Sequence, residues 1–381
     1  MSMFDVMPAR RGSGSLKWDQ RPELRPFWVA DMDFHSPPEV IEALKKRVEH
    51  GVFGYAVPHD GLIESILDYL RKRHKVSSSP DEIVHLGGLV PALSLACRAF
   101  AGEDESVLTC TPIYPPFLHV HRDANLSLTT VPYIMSEGTW TFDWAGLEQA
   151  VTPSTKIFLL SNPQNPLARV FLEEEIRQLA AFCERHNLIL VSDEIHCDLI
   201  LDEARTPHFT ALRLPESYTD RTITLLSPSK TFNIAGMGYA YAVIPDQKLR
   251  KRFLAAQGHT LAEINCLGYY SAEAAYRYGE PWRLELLSYL RSNRDLVTEF
   301  CREEIGSITI PDIEATYLAW LNFQQTTISH PASFLEKEAQ IFLSDGRYFG
   351  AEGHARLNFG CSRSHLEEAI SGIRQAIEKG A

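Results

Sequence analysis

"LLSPSKTFNIAGMGYAYAVIP", residues 225–245, sets one lysine, Lys230, between small hydroxyl residues and a glycine-bearing turn, with apolar strand-like runs on both sides. A charged amine at the end of a buried strand is costly unless it surfaces or its charge is exchanged for a covalent bond. The connection to "YAYAVI" is too short for a crossover, so that run is predicted to lie antiparallel to its neighbour. Upstream the pattern is different. "EIVHL", "SVLTC", "KIFLLS", "LILVS" and "TITLLS" read as strands, and helix-period runs separate several of them. In "EEEIRQLAAFCERHN", Ile176, Leu179, Ala180 and Cys183 share one helical face, with acidic residues at the start. Strands alternating with helices predict βαβ units and a mainly parallel sheet.

From about residue 285 the pattern changes to a long polar helix, the run "ATYLAWLNF", an amphipathic helix near 331–340, a final strand "HARLNFG" and a closing helix. That reads as a smaller α+β unit, with "PPEVIEALKKRVEH" near the N-terminus packing with it. A chain of 381 residues suits two closely packed domains rather than one small core. Its net charge of −12 argues against nucleic acid as the main partner, since no positive field meets the phosphates. There is no apolar leader and no uninterrupted apolar run of membrane length, so a soluble, cytoplasmic protein without a membrane partner is expected. The seven cysteines are scattered and show no C-x-x-C spacing, which fits small core residues rather than a disulfide framework or a metal site. His119 and His121 form an isolated pair with no further ligands nearby, so no metal is expected.

Ligands of open parallel sheets bind beyond the carboxyl ends of the strands. Here those ends carry Gly87-Gly88-Leu89-Val90 opening a helix, "TPIYPPF" with Tyr114, "NPQNP" with Asn165, "DEIH" with Asp193 and His196, and "PSK" with Ser229 and Lys230. Each motif alone has an ordinary structural reading, as a tight turn, a rigid proline loop or a helix cap. Together they supply an anion cup, an aromatic plate, a buried carboxylate and a lysine, the parts needed to hold pyridoxal phosphate. Asp193 would pair with the pyridine nitrogen, Asn165 with the ring hydroxyl O3′, and Tyr114 would stack on the ring. Ser227, Ser229 and the amides of Gly88, Leu89 and Val90 would hold the phosphate. His196 joins this cofactor-binding set, and Lys230 would form the Schiff base that relieves its burial.

The chain resembles the MalY/PatB group of cystathionine β-lyases and cysteine C–S lyases, within the class I/II aminotransferase superfamily of fold-type I enzymes. The resemblance runs nearly end to end through "GSLKWD", "FWVADMDFHSPPEV", "FGYAVP", "GGLVPAL", "TPIYPPF", "NPQNPLARVF", "SDEIHCDLIL", "SPSKTFNIAGM", "ATYLAWLNF" and "ARLNFGCSRSHLEEAI". It implies an α/β fold with a large pyridoxal phosphate domain at 49–284 around a mostly parallel seven-stranded sheet. A smaller α+β domain would span 285–381, with the segment 1–48 packing on it. It also implies that Arg356 clamps the substrate α-carboxylate and that the Ala30 backbone and Tyr114 lie close to the substrate. Tyr55 matches a tyrosine donated across a homodimer interface to the partner's cofactor, so the active sites would be shared. Three departures stand out: Gly87 for a proline, Ala168 for a glycine, and Pro115 where relatives carry a second tyrosine. The last lies near the substrate.

The implied reaction is α,β-elimination on L-cystathionine or a related L-cysteine S-conjugate, giving thiol, pyruvate and ammonia, with Lys230 as the base. Transamination of an L-amino acid with a 2-oxo acid is the alternative, because the two reactions share the first proton abstraction. A regulatory binding protein that keeps the fold is the third reading.

Overall fold

The computed structural model describes residues 2–258, 261–305 and 307–380. Seven strands form the main sheet: β1 (Ile83–Leu86), β2 (Ser106–Thr111), β3 (Ser127–Pro132), β4 (Thr155–Ser161), β5 (Ile189–Asp193), β6 (Thr222–Leu226) and β7 (Ala240–Val243). Their order is β1-β7-β6-β5-β4-β2-β3. All neighbours pair in parallel except β7, which is antiparallel to both β6 and β1. The short turn after Lys230 therefore reverses the chain as its length requires.

Alternate residues of one strand feed two different cores. Val107, Ile157, Leu159, Val191, Ile223 and Leu225 point to one face, where helices α1 (Leu89–Phe100) and α2 (Gln247–Gln257) pack. Leu108, Cys110, Phe158, Leu160 and Leu190 point to the other, against α3 (Glu173–Arg185). Edge strand β3 escaped the sequence reading because only Val131 of its six residues is buried, so no continuous apolar run marks it.

A second sheet of three strands pairs β8 (Leu318–Asn322), β10 (His354–Asn358) and β9 (Ser344–Asp345) in the order β8-β10-β9. Helices α4 (Cys266–Tyr278), α5 (Glu280–Glu299), α6 (Pro331–Ala339) and α7 (Arg363–Gly380) complete the chain. Arg25–Pro26 adds a short parallel pairing with Ile341–Phe342, whereas the helix Pro38–Glu49 lies mainly against α4. A core cluster runs from Phe4, Phe27 and Phe34 through Trp282 and Leu286 to Leu357 and Ile373. The seven cysteines are all free and buried. Among the described residues no helix is long and apolar enough to cross a membrane.

Candidate active site

Because β1, β2, β4, β5 and β6 run the same way, their carboxyl ends lie along one edge of the sheet, and the polar residues named above collect there. Asp193 is the last residue of β5 and is 5% exposed. Its Oδ1 accepts the Ile195 backbone N–H at 3.0 Å, and no cation lies within ion-pair distance of it among the described residues. Burial, helped by neighbouring Glu194, raises its carboxyl to about 7 against the opposing pull of the Ile195 amide and Lys230.

Lys230 is half-buried, and its Nζ donates to the Ala30 carbonyl at 2.7 Å. Burial and the Arg356 charge bring the amine down to about 8, although Asp31 and Asp193 pull the other way. The Tyr317 hydroxyl donates to the same carbonyl at 2.9 Å. The Ala30 loop is stitched down from two sides. Asn233, in the turn after Lys230, donates to the carbonyls of Met32 and Phe34 and accepts from the Met32 N–H. Its φ of +56° lies in the left-handed region, which asparagine tolerates better than most residues. On the other side Asn358 donates to the carbonyls of Val29 and Asp31. Below the loop, Asp33 takes hydrogen bonds from Lys17 (2.6 Å), Arg10 (2.6 Å) and the Trp18 indole (2.7 Å).

Arg356 rises from β10 and is 4% exposed. Its Nη1 donates to Asn165 Oδ1 at 2.8 Å, and its Nη2 to the Trp28 carbonyl at 2.8 Å and to Ser344 Oγ at 3.2 Å. Nε is buried without an acceptor, no carboxylate lies within salt-bridge distance among the described residues, and burial lowers the guanidinium to about 10. A buried guanidinium with spare N–H groups and no anion is a carboxylate site in waiting. A guanidinium only donates, so Asn165 turns its Oδ1 toward Arg356 and its amide N–H groups elsewhere. Asn162 and Gln164 of the same loop have other work: they bind backbone groups at Phe171, Phe209, Pro112 and Leu167. Only Asn165 is left for a ligand.

His196 is buried with Nδ1 unpartnered, and burial followed by the charges of Lys230 and Arg356 holds it neutral, at about 3. Tyr114 stands half-buried beyond β2, close enough to Arg356 and Asp193 for both to act on its hydroxyl. Ser227 Oγ donates to the Tyr239 carbonyl at 2.7 Å and lies 2.9 Å from Ser229 Oγ. Gly88 caps α1, whose 12 residues begin at Leu89 and Val90. Val90 has an aliphatic side chain, so only its backbone N–H can serve an anion. Gly238 has φ +59°, and a Cβ there would meet the Gly87 carbonyl at 3.5 Å.

Tyr55, expected to serve a partner's site rather than this one, is fully exposed, in an irregular segment whose Val52, Phe53 and Val57 are exposed as well. Sequence reasoning in turn missed Tyr317, Asn233, Trp28 and Ser344, which act through hydrogen bonds to groups far away in the chain. Asn233, placed three residues after the lysine in a turn, was the one with a local signal.

The residues fit pyridoxal phosphate on three counts. Asp193 is a carboxylate raised by burial and paired with no cation, a place that a protonated ring nitrogen would fill. The unpartnered Nδ1 of His196 and the outward amide of Asn165 offer polar contacts to a ring substituent. The first turn of α1 offers backbone N–H groups to an anion, and Ser229 adds a hydroxyl.

The model of the family "aminotransferase class I and II" matches residues 27–373. The cystathionine beta-lyase PatB of Bacillus subtilis is 34% identical, over 98% of this chain and 99% of its own length. The crystal structure of OvoB superposes with a TM-score of 0.96 at 36% identity, covering 99% of this chain and 100% of that one. Cystalysin from Treponema denticola, whose crystal structure contains pyridoxal 5'-phosphate, gives a TM-score of 0.94 at 32% identity, with 99% of both chains covered.

Proposed function

This chain belongs to the aminotransferase class I and II family and is a pyridoxal phosphate enzyme, and from that premise we propose that it is a carbon–sulfur β-lyase acting on L-cystathionine or a related L-cysteine S-conjugate. The observation that carries this reading is the end-to-end likeness to a cystathionine β-lyase, supported by the gathering of Lys230, Asp193, Asn165 and Arg356 beyond the sheet. When bound, pyridoxal phosphate supplies an electron-withdrawing ring that stabilises negative charge developing on the substrate α-carbon.

The protein's residues do the rest. Asp193 would hold the positive charge of the ring nitrogen, a cation that favours its ionised form, and Tyr114 would cover a ring face. Asn165 and His196 offer polar atoms to the ring substituents. Ser227, Ser229 and the amides of Gly88, Leu89 and Val90 hold the phosphate. Arg356 fixes the substrate carboxylate, so that the α-hydrogen points to one place. Lys230, whose amine burial brings below the ordinary lysine range, takes the α-proton onto Nζ while the Ala30 carbonyl holds the amine in position. The thiolate leaves with the electron pair of the C–S bond, and hydrolysis of the three-carbon remainder gives pyruvate and ammonia.

We place the reaction in a cytoplasmic homodimer, in which the exposed Tyr55 segment reaches into the partner's site. The apolar character of residues 52–57, exposed in one chain, supports that arrangement. The residue spans 1–48, 49–284 and 285–381 then act as N-terminal segment, cofactor-binding domain and small domain. The test is incubation of purified protein with L-cystathionine, with and without a 2-oxo acid. Thiol and pyruvate in equal amounts without the oxo acid support the lyase; turnover only with it, and no thiol, makes the protein an aminotransferase.

A further inference from the structure

The loop from Trp28 to Phe34 gives most of its carbonyls to side chains. Arg356 donates to that of Trp28, Asn358 to those of Val29 and Asp31, and Asn233 to those of Met32 and Phe34. Between the two that Asn358 holds lies the Ala30 carbonyl, whose donors are Lys230 Nζ at 2.7 Å and the Tyr317 hydroxyl at 2.9 Å. A peptide plane can still turn when its neighbours are held, because the soft dihedrals on its two sides can compensate one another. Lys230 and Tyr317 therefore decide where this carbonyl points.

Tyr317 is 0% exposed and stands just before β8, its ring edge-on to His196 at 6.2 Å. Its backbone is fixed from both sides. Thr316, at φ +71°, takes a left-handed conformation that a β-branched residue rarely adopts. It is held there by its N–H on the Leu199 carbonyl at 2.8 Å and by the Leu318 N–H on its Oγ1 at 3.1 Å. The Tyr317 carbonyl accepts the Phe359 N–H at 2.8 Å. Burial, helped by Asp31, raises the Tyr317 hydroxyl above the usual tyrosine range, so it stays a donor. Phenylalanine would fill the same space with no buried hydroxyl to satisfy.

Lys230 is not a constant partner of the Ala30 carbonyl. In the reading given above, its amine is engaged by the cofactor and comes free again to take the α-proton. Through that interval the carbonyl lacks one of its two donors, and a buried carbonyl left with none is costly. We propose that Tyr317 is a positioning residue for Lys230: its hydroxyl keeps the Ala30 carbonyl aimed at the place to which the lysine amine returns. The aimed carbonyl then accepts a hydrogen of the ammonium formed when Nζ takes the α-proton, which makes the amine a stronger base. This rests on the reading that Lys230 carries pyridoxal phosphate.

The experiment compares wild type with Y317F and Y114F. In protein stripped of cofactor, modification by an amine reagent is followed against pH on the peptide that contains Lys230. Y317F is expected to move the midpoint down by about half a pH unit or more, because the ammonium loses an aimed acceptor. Asp31, Asp193 and Arg356, the other charges that act on this amine, stay in place. Y114F removes a hydroxyl from the same site without touching the Ala30 carbonyl, and its midpoint is expected to stay at the wild-type value. In Y317F holoenzyme, kcat on L-cystathionine is expected to fall about tenfold with KM within about twofold, and the isotope effect of α-deuterated substrate to rise. An unmoved midpoint or isotope effect in Y317F overturns the proposal. So does a raised midpoint, which would make Tyr317 a competitor for the carbonyl, or an equal fall in Y114F, which would make lost polarity the cause. If Y317F does not fold, a structure of wild-type holoenzyme decides: the hydroxyl is expected on the Ala30 carbonyl, and one that has left it refutes the role. Failure of the cofactor reading would look different, since wild-type protein would then take up no pyridoxal phosphate while the midpoints could still be compared.

Discussion

Replacing Arg356 by glutamine removes a charge that the fold has buried without an anion. Its Nη atoms are fixed by Asn165, Trp28 and Ser344, so the side chain is aimed before a substrate arrives and little ordering remains to be done on binding. Losing one partner of such a desolvated, hydrogen-bonded charge pair costs about 3–5 kcal/mol. At 1.36 kcal/mol per decade this is roughly 150- to 5,000-fold in kcat/KM. The number alone does not isolate the carboxylate contact, because R356Q also frees Asn165. The assay therefore crosses the variant with a substrate change, comparing L-cystathionine with the analogue in which the carboxylate of its cysteine half is a carboxamide, in wild type and R356Q. Wild type should discriminate strongly against the amide, and R356Q should treat the two nearly alike, with a coupling of about 3 kcal/mol or more. R356K, which keeps a charge without the fork, should fall between them. If R356Q slows both substrates by the same factor, Arg356 supports the site's architecture and does not bind the carboxylate.

Three further outcomes are expected. In cofactor-free protein, the rate at which Lys230 is modified by an amine reagent should rise with pH and level off above about 8, because the neutral amine is the nucleophile; continued rise past pH 10 would show an ordinary lysine. Burial alone would raise Asp33, but Lys17, Trp18 and Arg10 outweigh it and hold its carboxyl below the usual range. Its stabilisation is therefore present above the unfolded carboxylate value and lost as pH falls through the folded one. D33N, which strands the 1% exposed Lys17, should lower urea stability by about 3–5 kcal/mol at neutral pH, and a loss under 1 kcal/mol would contradict this. Finally, K230A and Y55A proteins, each nearly inactive, should regain about a quarter of wild-type activity when unfolded together and refolded as an equal mixture, since half of the dimers would carry one unimpaired site. No recovery would place Tyr55 outside the partner's site.

Much of this was legible beforehand because the site sits where strands end, and strand ends are marked by local pattern. Gly88, Tyr114, Asn165, Asp193 and Lys230 each follow an apolar run within a few residues, so a short window contains both the strand and its cargo. Arg356 was placed by resemblance, and nothing local in "ARLNFG" announces a ligand. What local windows could not contain was the second half of each interaction. Tyr317 and Lys230 share one carbonyl, Asn358 secures a loop more than three hundred positions earlier, and Glu194 finds His208 across a loop. Strand β3 was hidden for the opposite reason, since its mostly exposed surface leaves no apolar signature.

The bond from Arg356 to the Trp28 carbonyl spans 328 positions of the chain. During synthesis, Trp28 emerges early and must wait for almost the whole polypeptide before its partner exists. The lysine turn and the phosphate corner can form sooner, but the substrate side of the site cannot. Late closure of such distant ends slows folding in general. Here it leaves the corner where Arg356 meets Trp28 among the last contacts of the site to form.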